Sequence, residues 1–537
     1  MFLREIKSKN KKYLHIIESY REEGKVKHRS VAALGSIDDE KKAEQLRKIG
    51  EALLKYTKSP KLIDIREAKE LGRKNWGTVA VVKKLWDKFG LGQLFQELKE
   101  ERKIEFEFFS AIFLMLMDRL REPKSKLKSY QQQNNYHGII EIELHQLYRA
   151  LDILEESKEK IEEYIFEKNK TLWNMEVDLV LYDVTTFYFE SVRADELREF
   201  GYGKDGNINE VQILFGLLVD IEGRPIGFDI FPGSTFEGHT IKEAIKKLSK
   251  RFEVKRLIVI ADQGMFSKEN LELIKQSNYQ YIVGGRLKNR SKEIKQEVLA
   301  QDGYTELSYK NADKSDEKFK VKKIKLEEDD LICSWSKRRA EKDKADRERL
   351  IVKAKKIVEG KKGQILSKRG ALKYIELDQN KIGTKIDEKK ILEDELWDGY
   401  YGLQSNATDL SPQDILDYYH QLWKIEESFR IFKSHLETRP IFHWTAKRIK
   451  GHFVLSFIAF LLERTLEIQL KQNNISYSPL LIRKAIDELQ YSVLFVQGNE
   501  FFLRSQVSGL ANDILRTLKI KIPPNVSPSD SFSFSFL

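Results

Sequence analysis

Asp183, Asp262 and Glu426 are three carboxylates in local settings suited to one task. Asp183 interrupts an apolar run, LVLYDVTTFYF; Asp262 closes a second, RLIVIADQG; Glu426 lies on a long amphipathic stretch, YYHQLWKIEESFRIFK. A lone carboxylate is costly to bury, so Asp183 is expected to face a metal ion, a base or a crevice. Two strand-borne aspartates and one helix-borne glutamate suit hard divalent cations, which take carboxylate oxygens and keep waters for chemistry. A pair of such ions stabilises the attacking and the leaving oxygen of an in-line displacement at phosphorus. Taken singly, each acid has a plainer reading. Asp262 would be a strand-end cap, and Glu426 a solvated helix residue like Glu427 beside it.

The elements around these acids read as a mixed sheet. VDLVLYDVTTFYFES, NEVQILFGLLVD and RPIGFDIFPG form three consecutive strands separated by Gly-, Asp- and Asn-rich turns. HTIKEAIKKLSKRF reads as a helix, RLIVIAD as a strand, SKENLELIKQS as a serine-capped helix and YIVGGRL as a strand. Meandering strands followed by strand–helix alternation give a fold of mixed α+β and α/β character, with helices flanking the sheet. Residues 290–395 interrupt the alternation. Strand-like pieces (KFKVKKIKL, DLICSWS, LKYIELD) surround a basic helix containing Lys337, Arg338 and Arg339. DGYYGLQSN then returns to the sheet, and SPQDILDYYHQLWKIEESFRIFKSHLE is expected to be one helix with Ser411 as cap and Pro412 in its first turn.

Before the sheet, KKYLHIIESYR, EEGK and VKHRSVAALG read as a hairpin whose polar face carries Arg21, Lys25, Lys27 and Arg29. Residues 38–165 read as helices, with KSKLKSYQQQNN as a loop and ELHQLYRALDILEESKEKIEEYIFEKN as a single helix. The tail beyond 445 is helical apart from a hairpin in SVLFVQGNEFFL, and SPSDSFSFSFL is expected to fray. A length of 537 residues implies several domains. The net charge of +11 favours an anionic partner, nucleic acid being the commonest. One cysteine, Cys333, excludes an internal disulfide and a cysteine zinc site. The nine histidines lack cage-like spacing. The N-terminus has no apolar signal region, and FVLSFIAFLL is too short to span a bilayer, so a cytoplasmic protein without a membrane partner is expected.

Order and motif together carry a resemblance. A strand Asp, two further strands, a helix, a strand ending in Asp and a later helix Glu are the components of a ribonuclease-H-like core. With FDIFPGSTFEGHTIKEAI, IVIADQGMFSKENLELI, DGYYGLQSN and YHQLWKIEESFRIFKS, the chain resembles the DDE transposases of bacterial insertion sequences, in particular the group with a large insertion before the glutamate. The hairpin YREEGKVKHRSVAALG is similar to that of one subgroup. The resemblance implies that Asp183, Asp262 and Glu426 are catalytic and hold two Mg²⁺, with Mn²⁺ as a substitute. It implies a Tyr–Arg–Glu–Lys signature, here Tyr419, Glu426 and Lys433 with Leu422 at the arginine position. In related enzymes that arginine contacts terminal phosphates, and Arg430 is a possible substitute. Tyr419, Glu426, Arg430 and Lys433 recur at spacings of seven, four and three, which on one continuous helix shares a face.

Double-stranded DNA, as element ends and target, is then the expected partner, bound by a homodimer. Arg286, Lys288, Lys337 and Arg338 are candidates for backbone contact, which positions rather than specifies. Trp423 reads first as a core residue, and otherwise as a platform for an extruded base. The expected organisation is an N-terminal hairpin (1–40) and a helical end-binding region (41–170). The opening segment of the core (171–290), an insertion (291–395) and the closing segment of the core (396–450) follow, then a helical dimerisation region (451–537). Two other readings stay open: a ribonuclease-H-like nuclease or resolvase, and a catalytically idle DNA-binding descendant. A haloacid-dehalogenase-like phosphatase needs DxDxT, and Asp183-Val184-Thr185 lacks the second carboxylate.

Overall fold

The computed structural model describes the chain except residues 9–10, 23, 57–67, 174–178, 192, 202–209, 252–256, 262–266, 311–315, 361–364, 366, 380 and 530–537. Two units partition the described residues: Met1–Gly72 with Val493–Leu503 and Val526–Ser529, and Arg73–Ser492 with Arg504–Asn525.

In the larger unit, alternation along the LVLYDVTTFY run gives β1 (Leu179–Tyr188), followed by β2 (Gln212–Asp220) and β3 (Pro225–Pro232). Next come α1 (Glu237–Arg251), β4 (Ile258–Ala261), α2 (Lys268–Gln276) and β5 (Gln280–Gly284). β1, β2 and β3 pair antiparallel, while β4 lies parallel to both β1 and β5. The resulting order, β3-β2-β1-β4-β5, is that of a ribonuclease-H-like core. Val180, Tyr182 and Val184 face one side, where they pack with Ile241 and Ile245 of α1 and Ile274 of α2.

The sheet does not stop at β5. The insertion supplies α3 (Lys292–Leu299), β6 (Thr305–Lys310), β7 (Asp316–Lys325), β8 (Asp330–Ser336) and the basic helix α4 (Lys337–Glu359). Strand β9 (Tyr400–Ser405) returns between β5 and β8, so one nine-stranded sheet runs β6-β7-β8-β9-β5-β4-β1-β2-β3. β9 pairs with β8 as well as β5, and this pairing carries the insertion's strands into the main sheet.

The expected single helix over 411–437 is three pieces. α5 (Pro412–His420) and α6 (Trp423–Arg430) are followed by a π-helical turn, Ile431–His435. At the junction Leu422 N–H donates to the Tyr419 carbonyl and Ile425 N–H to the Leu422 carbonyl, both at 3.1 Å. These i→i+3 bonds tighten the chain and shift angular positions between Tyr419 and Glu426; the π turn shifts Lys433 again. Spacing on an ideal helix therefore misplaces both signature ends.

Helix α7 (Ala446–Gln472) contains FVLSFIAFLL and is buried over nearly its whole length. It packs against helices Leu144–Glu156 and Phe108–Arg121 and against β3. Among the described residues no helix is long and apolar enough to cross a membrane. Arg464 of α7, only 3% exposed, pairs with Glu427 and Glu467, each at 2.9 Å. Burial lifts the Glu467 carboxyl from its ordinary 4.5 to about 7, against the pull of Arg464 and with Glu463 and Glu427 adding to the rise. A carboxyl raised on folding contributes stability that is present below its unfolded value and lost as pH rises through the folded one. The wild-type protein should therefore lose stability between about pH 4.5 and 7 relative to Glu467→Gln. Parallel denaturation curves for the two proteins across that window would refute the assignment.

Five local expectations need correction. The N-terminal hairpin carries a third strand: Phe2–Ser8 pairs with Lys11–Glu22, which pairs with Lys25–Ser36. Two of the cations on that hairpin are partly committed, Lys27 to Glu22 at 2.8 Å and Arg29 to Glu18 at 2.7 Å. The helical region contains a strand, Lys69–Asn75. Its expected loop contains helix Lys126–Gln131, capped by Ser125, and its last expected helix is split at Ser157. Of SPSDSFSFSFL, Ser527 and Pro528 belong to a short strand and residues 530–537 lie outside the described residues.

Candidate active site

The face of β1 opposite α1 and α2 carries Leu181, Asp183, Thr185 and Phe187, by strand alternation. Asp183 stands across from Leu217 and Thr185 from Phe215 on β2. Aromatic packing identifies what covers this face. Phe187 meets Phe453 of α7 at 5.1 Å between ring centroids, and Phe215 meets Phe432 of the π turn at 5.0 Å and Phe453 at 5.2 Å. Helix α6 packs on β1 as well. Asp183 is thus half-buried on the side of the sheet that also receives the segment bearing Glu426. Its Oδ1 accepts the Val184 N–H at 2.7 Å.

Packing sorts the residues of α6. Ile425, Ser428 and Phe429 are buried. Lys424 Nζ donates to the Ile221 carbonyl at 2.5 Å, and burial lowers its pKa. Glu427 is held by Arg464. These anchors leave Trp423, Glu426 and Arg430 exposed, at spacings of three and four. Glu426 has no side-chain partner among the described residues, so the adjacent acids divide cleanly: Glu427 braces the helix and Glu426 is left to solvent. Trp423 is 50% exposed, which overturns its reading as core. Among the described residues Arg430 has one ion-pair partner, Glu427, at 3.8 Å. Lys433 is exposed, with Nζ 5.6 Å from the centre of the Phe187 ring. That ring lies on the Asp183 face of β1.

Asp262 lies outside the described residues. The strand that leads to it is described: β4 ends at Ala261, with Ile260 paired to Leu181, two residues before Asp183. Among the described residues no three His, Cys, Asp or Glu side chains group closely enough to hold a metal ion.

Tyr419 of α5 is tied to the insertion side. Its hydroxyl accepts from the Tyr401 hydroxyl at 2.8 Å, and the Arg339 guanidinium of α4 lies 4.4 Å over the Tyr401 ring. Tyr401 was not singled out in the sequence; its only signal was the aromatic pair in DGYYG. Leu422, at the signature arginine position, is half-buried at the helix junction.

The remaining basic candidates differ in their commitments. Arg286 is exposed after β5, beside a cleft of about 280 Å³ that Lys268, Arg290 and Gln404 also line. Lys288 pairs with Asp394 at 3.0 Å. Burial opposes ionisation of Asp394, but Lys373 at 2.7 Å and Lys288 hold its carboxyl well below the usual range. Lys337 and Arg338 are exposed in the first turn of α4, which Ser336 caps.

Comparison with known proteins gave two sequence-profile matches: the transposase DDE domain over residues 178–462, and the N-terminal domain of IS1634 family transposases over residues 3–62. No curated protein matched. Among solved structures, a cryo-EM structure of the piggyBac transposase synaptic complex with hairpin DNA is 10% identical. The match covers 71% of this chain and 70% of that one, with a TM-score of 0.37.

Proposed function

The chain belongs to the DDE transposase family, and on that premise we propose that it cuts DNA at the ends of an insertion sequence and joins them to a target. The observation that carries this reading is the common sheet face of Asp183 and the α6 segment, where Glu426 is left unpartnered among the described residues while Glu427 is bound internally. Asp183, Glu426 and, on sequence grounds, Asp262 would hold two divalent cations, Mg²⁺ or Mn²⁺. The donor set fits them, since Asp183 and Glu426 offer hard carboxylate oxygens, one half-buried and one exposed. Bound there, the ions would supply charge stabilisation to the reacting phosphodiester and lower the pKa of a bound water.

The protein's own contribution is positioning. Lys424 and Arg464 fix α6 on the sheet, so that Glu426 is presented by a braced helix. Lys433 and Arg430 are exposed nearby on the same segment and would hold backbone phosphates, with Trp423 offering a ring to a base. Tyr419, tied to Tyr401, would orient the DNA from the insertion side, where Arg286, Lys337 and Arg338 add positive charge. Lys288 would contribute less, because Asp394 already holds it. Strand cleavage by water releases a 3′-OH, and that hydroxyl attacks target DNA without a covalent protein–DNA bond. We propose that two copies act on the two ends, and that the protein works in the cytoplasm, on the nucleoid.

The test is nicking of a supercoiled plasmid carrying the inverted repeats that flank the coding sequence. Cleavage at the repeat ends, requiring Mg²⁺ or Mn²⁺ and stopped by EDTA, is expected. Cutting that ignores the repeats would favour a nuclease or resolvase, and binding without cutting an idle descendant.

A further inference from the structure

A cavity lies where helix Phe108–Arg121 meets the segment after the π turn. It measures about 520 Å³ and is lined among others by Arg119, Lys126, Tyr148, Glu437, Phe442 and His443. Arg119 is fixed, donating to the carbonyls of Leu436 at 2.9 Å and Glu437 at 2.8 Å. Lys126 is not. It is 4% exposed, yet no acceptor or carboxylate among the described residues lies within hydrogen-bond or ion-pair distance of its ammonium. Its acidic neighbour Asp118 meets the Tyr136 hydroxyl at 2.7 Å and Lys124 at 3.7 Å through Oδ1; its Oδ2 has no hydrogen bond among the described residues, and it acts on Lys126 only through space. Burial and then Arg119 lower the Lys126 amine to about 7, with Asp118 pulling the other way, so near neutral pH it is only partly charged and an anion in the cavity would hold it protonated.

We propose that this cavity binds a nucleoside phosphate, with the phosphate on Lys126 and the sugar and base between Tyr148 and Phe442. The volume is large enough for a nucleotide, since a water takes only about 30 Å³ of liquid. The lining offers both cations and aromatic rings: Tyr148 lies 6.1 Å from the His443 ring, with the Arg448 guanidinium 5.1 Å from the Tyr148 ring centre, and Phe442 is exposed. The histidines agree with a cation-rich cavity. Burial, then Lys126, Arg119 and Arg448, push His443 down to about 3. Burial and Arg119 lower His452 too, leaving it neutral to donate from Nε2 to the Thr438 carbonyl at 3.0 Å.

The experiment titrates thymidine 5′-monophosphate into the full-length wild-type protein and into Lys126→Met and Lys126→Gln, following affinity by calorimetry and the His443 imidazole by NMR. Wild-type binding with a shifted His443 signal is expected. Loss of a charge-assisted contact should weaken it roughly 10-fold or more in both variants. Thermal stability should hold, since the amine has no hydrogen-bond or ion-pair partner to lose among the described residues. Asp183→Ala should bind as wild type does, which separates this site from the proposed catalytic one. Equal affinity in wild type and both variants, or no wild-type binding, would overturn the proposal. A duplex oligonucleotide that displaces the nucleotide from wild type identifies the source as DNA. Simultaneous binding of both identifies a free nucleotide. Either result supports the site.

Discussion

Glu426→Gln should abolish strand cleavage while Glu427→Gln should not. Removing one carboxylate from the proposed metal cage forfeits several kcal/mol of transition-state stabilisation, or roughly 10³-fold or more in rate. Glu426 is exposed and without a partner among the described residues, so its stability cost should stay within about 0.5 kcal/mol. Glu427 presents the reverse case. It holds Arg464, which is almost wholly buried and, among the described residues, keeps Glu467 as its one carboxylate partner when Glu427 is neutralised. Glu427→Gln should therefore destabilise the protein by about 1–3 kcal/mol, with the rate per folded molecule little changed. Single-turnover cleavage and chemical denaturation of both variants provide the readout. Equal losses of rate would mean that the two acids have been assigned to the wrong roles.

The largest expected stability effect lies outside the site. Helix α7 crosses helix Leu144–Glu156 so closely that a Cβ on Gly451 would stand 2.0 Å from the Leu151 carbonyl oxygen and 2.7 Å from its carbon. Backbone atoms cannot swing aside as a flexible side chain does. Gly451→Ala must force apart a pair of helices whose contact supports the sheet face under Asp183, at a cost of roughly 3 kcal/mol or more. Gly509→Ala is the matched control. Nothing lies within 4 Å of its added methyl, and alanine is the better helix former in Gly509–Thr517. Denaturation midpoints should fall sharply for the first and hold or rise for the second. Equal midpoints would contradict the close crossing.

Much of the central sheet was legible because its strands are buried on alternating or both faces and bounded by turn residues. VDLVLYDVTTFYF, NEVQILFGLLVD and RPIGFDIFPG gave β1, β2 and β3 in order, and KRRAEKDKADRERLIVKAKKIVE gave α4. What escaped depends on long-range packing or subtle local geometry. That β6, β7 and β8 join the same sheet is a matter of which edge β9 pairs with, and no local pattern encodes it. The junction at Gln421–Leu422 has ordinary helical dihedrals at Leu422, so composition gives no warning of it. Trp423 was misread because an amphipathic stripe shows periodicity, not which phase faces the sheet. Ile425, Ser428 and Phe429 took the buried face, and the tryptophan was left outside. Lys126 was hidden in a segment whose basic, glutamine-rich composition suggested a loop; its burial comes from helices distant in sequence.

The most direct measurement is anomalous scattering from crystals of the full-length protein soaked in MnCl₂. The expected result is manganese peaks with carboxylate oxygens of Asp183, Asp262 and Glu426 at roughly 2.0–2.6 Å, as hard-cation coordination requires. Manganese bound only elsewhere, or these carboxylates too far apart to share an ion, would contradict the proposed centre.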